Sequence, residues 1–172
     1  MAMEDPIMRR LYDSVNWDQD NGLSVEEMQR GLTESQISGI YQPFSQETTR
    51  ILCVTLDRNR DSKINFEEFC EVFRSLNGWK NVFVQHDRDR SGTMEGAELH
   101  RVLIDLGYHL SPQAMGIILR RYSNNNKISF DGFVGCCISL KHLTDGFRFY
   151  DKNSDGNATL HYYQYLHLAF SL

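Results

Sequence analysis

Two stretches of this 172-residue chain, "DRNRDSKINFEE" at 57–68 and "DRDRSGTMEGAE" at 87–98, begin 30 residues apart and follow one grammar. Oxygen-bearing side chains stand at positions one, three and five, an apolar residue at eight and a glutamate at twelve. Between them lies "FCEVFRSLNGWKNVFVQH", long enough for one helix and too short for two helices and a turn. Phe69, Val72, Phe73, Leu76, Trp79 and Phe83 recur in it at three- and four-residue intervals, which marks a single buried stripe. One helix must therefore leave one loop and enter the next. This spacing predicts an all-α fold of helix-loop-helix units that share helices.

The residue types point to a hard cation. Alternate residues of a tight turn converge on its centre, and six to eight oxygens with a bidentate closing glutamate suit an ion of calcium's size. At 87–98 the donors are Asp87, Asp89, Ser91, the Thr93 carbonyl and Glu98, with Glu95 at position nine and Gly92 at the sharp bend. At 57–68 they are Asp57, Asn59, Asp61, the Lys63 carbonyl and Glu68, with Asn65 at position nine. Here Ser62 takes the bend, where a left-handed backbone costs a non-glycine residue about 1 kcal/mol. The second loop is expected to bind more weakly than the third.

Three further copies are less regular. "NWDQDNGLSVEE" at 16–27 keeps Leu23 at eight and Glu27 at twelve but lacks the opening aspartate. Two donor sets fit it: Asn16, Asp18 and Asp20 in a twelve-residue frame, or the Trp17 carbonyl, Asp20 and the Gly22 carbonyl in an eleven-residue frame, each closed by Glu27. "RYSNNNKISFDG" at 121–132 opens on Arg121 and ends on Gly132, so it reads as a structural turn eased by Asn125 and Asn126. "DKNSDGNATLHY" at 151–162 offers Asp151, Asn153, Asp155 and Gly156, then ends on Tyr162 where a closing glutamate belongs. A short strand is expected around Ala158, without strong metal binding.

The fourth and fifth loops also begin 30 residues apart and should share a helix. The longer gaps elsewhere contain "YQPFS" and "GYHLSPQA", where Ser45 and Ser111 are placed to cap new helices. Such units stack in pairs through the residue at position eight, because a lone unit leaves its backbone groups and apolar face unpaired. Two and two leave the fifth alone, with apolar residues in "HYYQYLHLAFSL" to cover. Pairing with the fifth unit of a second chain satisfies both needs and predicts a homodimer.

Composition narrows the function classes. A net charge of −5 with clustered acids argues against nucleic acid as a partner. The apolar stretches are too short and too interrupted by charge to span a bilayer, and "MAMEDPIMRR" lacks the features of a secretory signal. A cytosolic protein is expected, with Cys53, Cys70, Cys136 and Cys137 as free thiols. His86, His100, His109, His142, His161 and His167 have no recurring partner, so no enzyme is expected. Met28, Met94 and Met115 are too scattered to form a methionine-rich groove.

"YQPFSQET", "LNGWKNVF", "HDRDRSGTMEGAEL", "LGYHLSPQA", "RRYSNNNKISFDGFVGCC" and "LTDGFRFYD" together resemble the penta-EF-hand family, its sorcin-like members first and the calpain small subunit more distantly. The resemblance spans nearly the whole chain. It implies a single domain over 1–172 with about eight helices, short paired strands in the loops, and hands near 7–35, 46–76, 77–107, 112–140 and 141–172. It further implies Ca2+ in the first three hands, with the eleven-residue first loop opening on Trp17, two or three ions per chain and Mg2+ as competitor. Dimerisation through the fifth hands, around Asp151–Leu172, and calcium-dependent movement from cytosol to membranes or target proteins complete it. Against the family's pattern, the glycine- and proline-rich arm before the first hand is expected to be absent or truncated, with only "MAMEDPIMRR" in its place. A regulatory subunit of a calpain-like protease and a cytosolic calcium buffer are the rival readings.

Overall fold

The structure, a computed structural model, describes residues 6–39, 43–87 and 90–170. Eight helices lie among these residues: α1 (Pro6–Val15), α2 (Val25–Glu34), α3 (Gln46–Leu56), α4 (Phe66–His86), α5 (Gly96–Asp105), α6 (Pro112–Tyr122), α7 (Phe130–Tyr150) and α8 (Tyr162–Phe170). A two-stranded sheet of β1 (Thr93–Glu95) and β2 (Lys127–Ser129) joins them. The two helices of 21 residues, α4 and α7, are the shared ones that the 30-residue spacings require.

Local chemistry starts each helix where it is needed. Ser24, Ser45, Asn65, Ser111 and Ser129 each sit in extended backbone and accept a hydrogen bond from an amide in the first helical turn. Caps of this kind are worth about 1 kcal/mol each. Ser45 and Ser111 begin the helices that follow the two predicted breaks, and Pro112 presets the first residue of α6. Tyr41 and Gln42 of the first break lie outside the described residues.

Loops join in pairs at position eight. The Leu23 amide donates to the Ile64 carbonyl at 2.8 Å, and the Ile64 amide donates back to Leu23 at 2.9 Å. In the second pair β1 and β2 run antiparallel with Met94 opposite Ile128. All four side chains are buried, so each bridge satisfies backbone groups on one side and seeds the core on the other. Along α4, Phe69, Val72, Phe73, Leu76 and Phe83 are buried, with Trp79 packed at their edge. Tyr12 stands edge-on to Phe69, and Phe83 meets Phe130 and Phe133 at centroid distances of 5.3 and 5.5 Å. Packing of α3 on α7 unites the two halves, and Gly135 permits it: a Cβ there would lie 3.1 Å from Thr48 Oγ1.

The fifth unit stands apart. In α7 the buried residues run from Phe130 to Ser139, while the later turns are half-buried or exposed; α8 has no buried residue. Gly146 lets the two helices meet closely, since a Cβ on it would overlap Leu168. The expected strand around Ala158 does not form: 157–160 has no regular structure, because within the chain the other four loops already pair with one another. Among the described residues no helix is long and apolar enough to cross a membrane.

None of the four cysteines is in a disulfide. Burial raises the Cys53 and Cys136 thiols to about 12 and pushes Cys137 up well above its ordinary value. An unfolded thiol ionises near 9, so the stability these groups contribute is whole below pH 9 and falls away as pH rises towards 12. Alkylation of the folded chain at pH 8, followed by peptide mass mapping, should modify half-buried Cys70 first. Cys53, Cys136 and Cys137 should react at comparable rates to it after unfolding in urea.

Candidate metal centre

In the second loop the Asp57 carboxylate folds the turn around itself. Its Oδ1 accepts the Asp61 amide at 3.3 Å and its Oδ2 the Ser62 amide at 2.9 Å. The third loop repeats this with Asp87, which accepts the Ser91 and Gly92 amides at 3.0 and 2.9 Å. The fifth does so again through Asp151, from Asp155 and Gly156. Position four is left-handed in the first, second, third and fifth loops, at Gln19, Arg60, Arg90 and Ser154. Position six is left-handed at Ser62, Gly92 and Gly156, with φ of 65°, 76° and 82°. The predicted bend is thus built, and in the second loop a serine carries its strain. Asp89, the expected donor at position three of the third loop, lies outside the described residues.

The closing glutamates serve as helix caps. Glu68 is buried; its Oε1 accepts the Arg58 amide at 2.9 Å and its Oε2 the Asn65 amide at 3.0 Å. Glu27, also buried, accepts the Trp17 amide at 3.2 Å and the Ser24 amide at 2.9 Å. Glu98 accepts from Glu95 in the same manner at 2.9 Å and is half-buried. With these oxygens turned to backbone amides, no three carboxylate, histidine or cysteine side chains converge on a metal-sized gap among the described residues. The donor inventory, hard oxygens with a closing carboxylate on the exit helix, nevertheless suits calcium in the second and third loops. Asn59 bonds Asp61, and Ser91 bonds Thr93, so those donors already lie side by side.

The first loop is built differently. Counted back from the closing glutamate, Trp17 takes the place of Arg58, and Asn16 that of Asp57. Asn16 Nδ2 donates to the Asp20 carbonyl at 3.1 Å, whereas its buried Oδ1 has no hydrogen-bond partner among the described residues. An oxygen left in that position fits a cation. Asp20 takes over the shaping of the turn, accepting the Gly22 amide at 3.0 Å. Asn21 at position six is not left-handed.

The fourth loop is a tight hairpin turn. Asn124 and Lys127 exchange both backbone bonds across Asn125 and Asn126, which are left-handed at φ of 50° and 60°. A side chain at Gly132 would place its Cβ 2.7 Å from the Tyr122 carbonyl, so no closing ligand has room there. Arg121 is engaged with Glu47 of α3.

Counting along the sequence places Tyr162 at the end of the fifth loop, and the structure moves that end. Here α8 begins at position twelve, whereas α2, α4, α5 and α7 begin at position ten. His161 becomes the cap, and its amide donates to Gln164 Oε1 at 2.8 Å, the bond that the closing glutamates make elsewhere. The loop is two residues longer, and Gln164 stands in the glutamate's place. One neutral oxygen cannot close a calcium shell bidentately.

The EF-hand domain pair family matches residues 6–74. Mouse grancalcin is 47% identical over 148 residues, covering 86% of this chain and 67% of grancalcin. Human sorcin is 42% identical over 154 residues, covering 90% of this chain and 78% of sorcin. Among solved structures, a homolog of programmed cell death 6 protein from Leishmania major Friedlin superposes with a TM-score of 0.72. It is 22% identical, and the match covers 95% of this chain and 88% of that one.

Relief of the strain at position six of the second loop is measurable. Ser62→Gly should raise stability by about 1 kcal/mol, seen as a higher urea midpoint with an unchanged slope. An unchanged midpoint would mean that the left-handed serine carries no cost.

Proposed function

The chain belongs to the penta-EF-hand family of calcium-binding proteins that includes sorcin and grancalcin, and on that footing we propose that it is a calcium sensor. In this reading Ca2+ fills the second and third loops through Asp57, Asn59, Asp61, Lys63 and Glu68, and through Asp87, Asp89, Ser91, Thr93 and Glu98. The first loop, with Asp20 and Glu27 and either Asn16 and Asp18 or the Trp17 and Gly22 carbonyls, is a third and weaker site. Mg2+ competes poorly, since it prefers a compact octahedron and keeps its waters.

The observation that carries the sensor reading is the double use of the closing glutamates. Glu27, Glu68 and Glu98 each hold the first turn of an exit helix through bonds to backbone amides. A bidentate shell would take those oxygens and draw the helix with them. In the third hand α5 would then shift against α4, opening apolar surface beside Trp79. Helix α4 ends in one loop and begins in the other, so occupancy of the second and third loops biases one motion. Met28, Met94 and Met115 are buried in the core, which leaves aromatic and aliphatic side chains to meet target proteins or membranes.

Dimerisation through the fifth hand belongs to the same proposal. Phe149, Tyr163 and Phe170 are 65%, 81% and 80% exposed, and among the described residues the loop before α8 pairs with no other loop. Aromatic area of this extent on two short helix faces is well suited to a second copy. Such a protein would move from cytosol to membranes as calcium rises. Heterodimerisation with a protease subunit, or tight binding without a shape change, would redirect the reading to a calpain-like regulator or a buffer.

Titration calorimetry should find two or three calcium ions per chain. Glu98→Gln should weaken one strong site by at least about 2 kcal/mol, some thirtyfold, and suppress the calcium-dependent rise of a hydrophobic dye. An undiminished dye response would remove the third hand from the mechanism. In sedimentation, the wild-type chain should be a dimer and Tyr163→Asp a folded monomer. A wild-type monomer at micromolar concentration would remove the fifth-hand contact.

A further inference from the structure

Lys63 occupies position seven of the second loop, one residue before the Leu23–Ile64 bridge. Its stem passes directly over the first loop at Gly22, where a Cβ would lie 2.9 Å from Lys63 Cβ and 3.2 Å from the Ile64 carbonyl oxygen. The absence of a side chain at that crossing lets the lysine reach over. Its ammonium then bonds Asp20 Oδ2 and stands 3.9 Å from Asp18 Oδ2. Asp20 is a candidate donor in both frames of the first loop, and Asp18 in one of them. The hydrogen bond to Lys63 lowers the Asp20 carboxyl below its ordinary range, and the same bond raises the lysine.

The second pair of hands supplies an internal comparison. Lys127, at position seven of the fourth loop, also reaches across to the partner loop, where it meets Glu95 Oε1 at 3.1 Å. Glu95 stands at position nine, while Asp87 keeps its carboxylate on the Ser91 and Gly92 amides. In the first pair Lys63 reaches Asp20, the acid that shapes the turn.

We propose that Lys63 is a built-in counter-ion of the first loop, holding the carboxylates of Asp18 and Asp20 until calcium displaces it, and so lowers that loop's affinity. The inference rests on the reading that the first loop takes calcium. Physically, an ion entering the loop must either expel the ammonium to solvent or bind beside a like charge. A unit and a divalent charge about 6 Å apart in water repel by an amount that corresponds to about tenfold in affinity.

The test uses the full chain and terbium luminescence sensitised by Trp17, with calcium as competitor; Trp17→Phe identifies the part of the signal that belongs to the first loop. Lys63→Met and Lys63→Gln should each tighten calcium binding there about tenfold. Lys141→Met, which makes the same change in net charge on α7, should alter it less than twofold. Two charge-removing variants at position 63 guard against misfolding of either, and circular dichroism verifies both. Equal first-loop affinities in the wild type and the Lys63 variants overturn the inference while calcium binding stands. Equal tightening by Lys141→Met also overturns it, as a general charge effect. If calorimetry finds no calcium bound by any of the chains, the calcium reading and the inference fall together.

Discussion

Everything in this fold hangs on the residue at position eight of each paired loop. A loop that gathers carboxylates and bends through left-handed residues is a poor folding unit alone, because its charges repel and its backbone is strained. The reciprocal bonds between Leu23 and Ile64, and the short sheet that sets Met94 opposite Ile128, return backbone satisfaction to both members of each pair. The same four side chains enter the core. Loop geometry and core packing are therefore one problem solved at one place, and the aromatic contacts around Phe69, Phe83 and Phe130 extend it. The bridge has an electrostatic corollary: it brings the position-seven side chain of one loop over the acids of the other.

Much of this was legible because it depends on spacing. Thirty residues between loop starts leaves room for a single helix, and α4 and α7 are those helices. Ser45 and Ser111 announced new helices because a hydroxyl before an amphipathic run has one obvious use. The missing donors of the fourth loop were visible too, although the reason Gly132 cannot be replaced, the Tyr122 carbonyl against its Cβ position, needed coordinates. The length of the fifth loop was not visible. Asp151 and Gly156 keep the pattern of its first half, so counting onward ran to Tyr162, whereas the helix start is decided by a cap between His161 and Gln164. A count made from the helix rather than from the loop would have exposed Gln164. The Lys63–Asp20 contact joins residues 43 apart on different loops, and no periodicity within either loop encodes it.

The first and fifth loops depart from the pattern in opposite ways. In the first, the opening carboxylate is replaced by an asparagine whose Oδ1 is buried without a partner among the described residues, while the closing glutamate is intact. In the fifth, the opening carboxylate is intact and the closing residue is a neutral amide two positions late. Gain or loss of affinity in this architecture can thus begin at either end of a loop without disturbing the helices. The caps persist in both cases, since Glu27 and Gln164 each hold a backbone amide.

Helix α7 crosses from one environment to another along its length. Its first half, Phe130 to Ser139, is fixed in the core, and the rest projects to Tyr150 with the fifth hand attached. At 1.5 Å per residue the projecting half is ~16 Å long. A lever of that length turns a tilt of ~10° at the core into a displacement of ~3 Å at its far end. In a dimer joined at that far end, two such levers would act against each other, and a rotation too small to disturb the packing within a protomer would become a change in the angle between protomers.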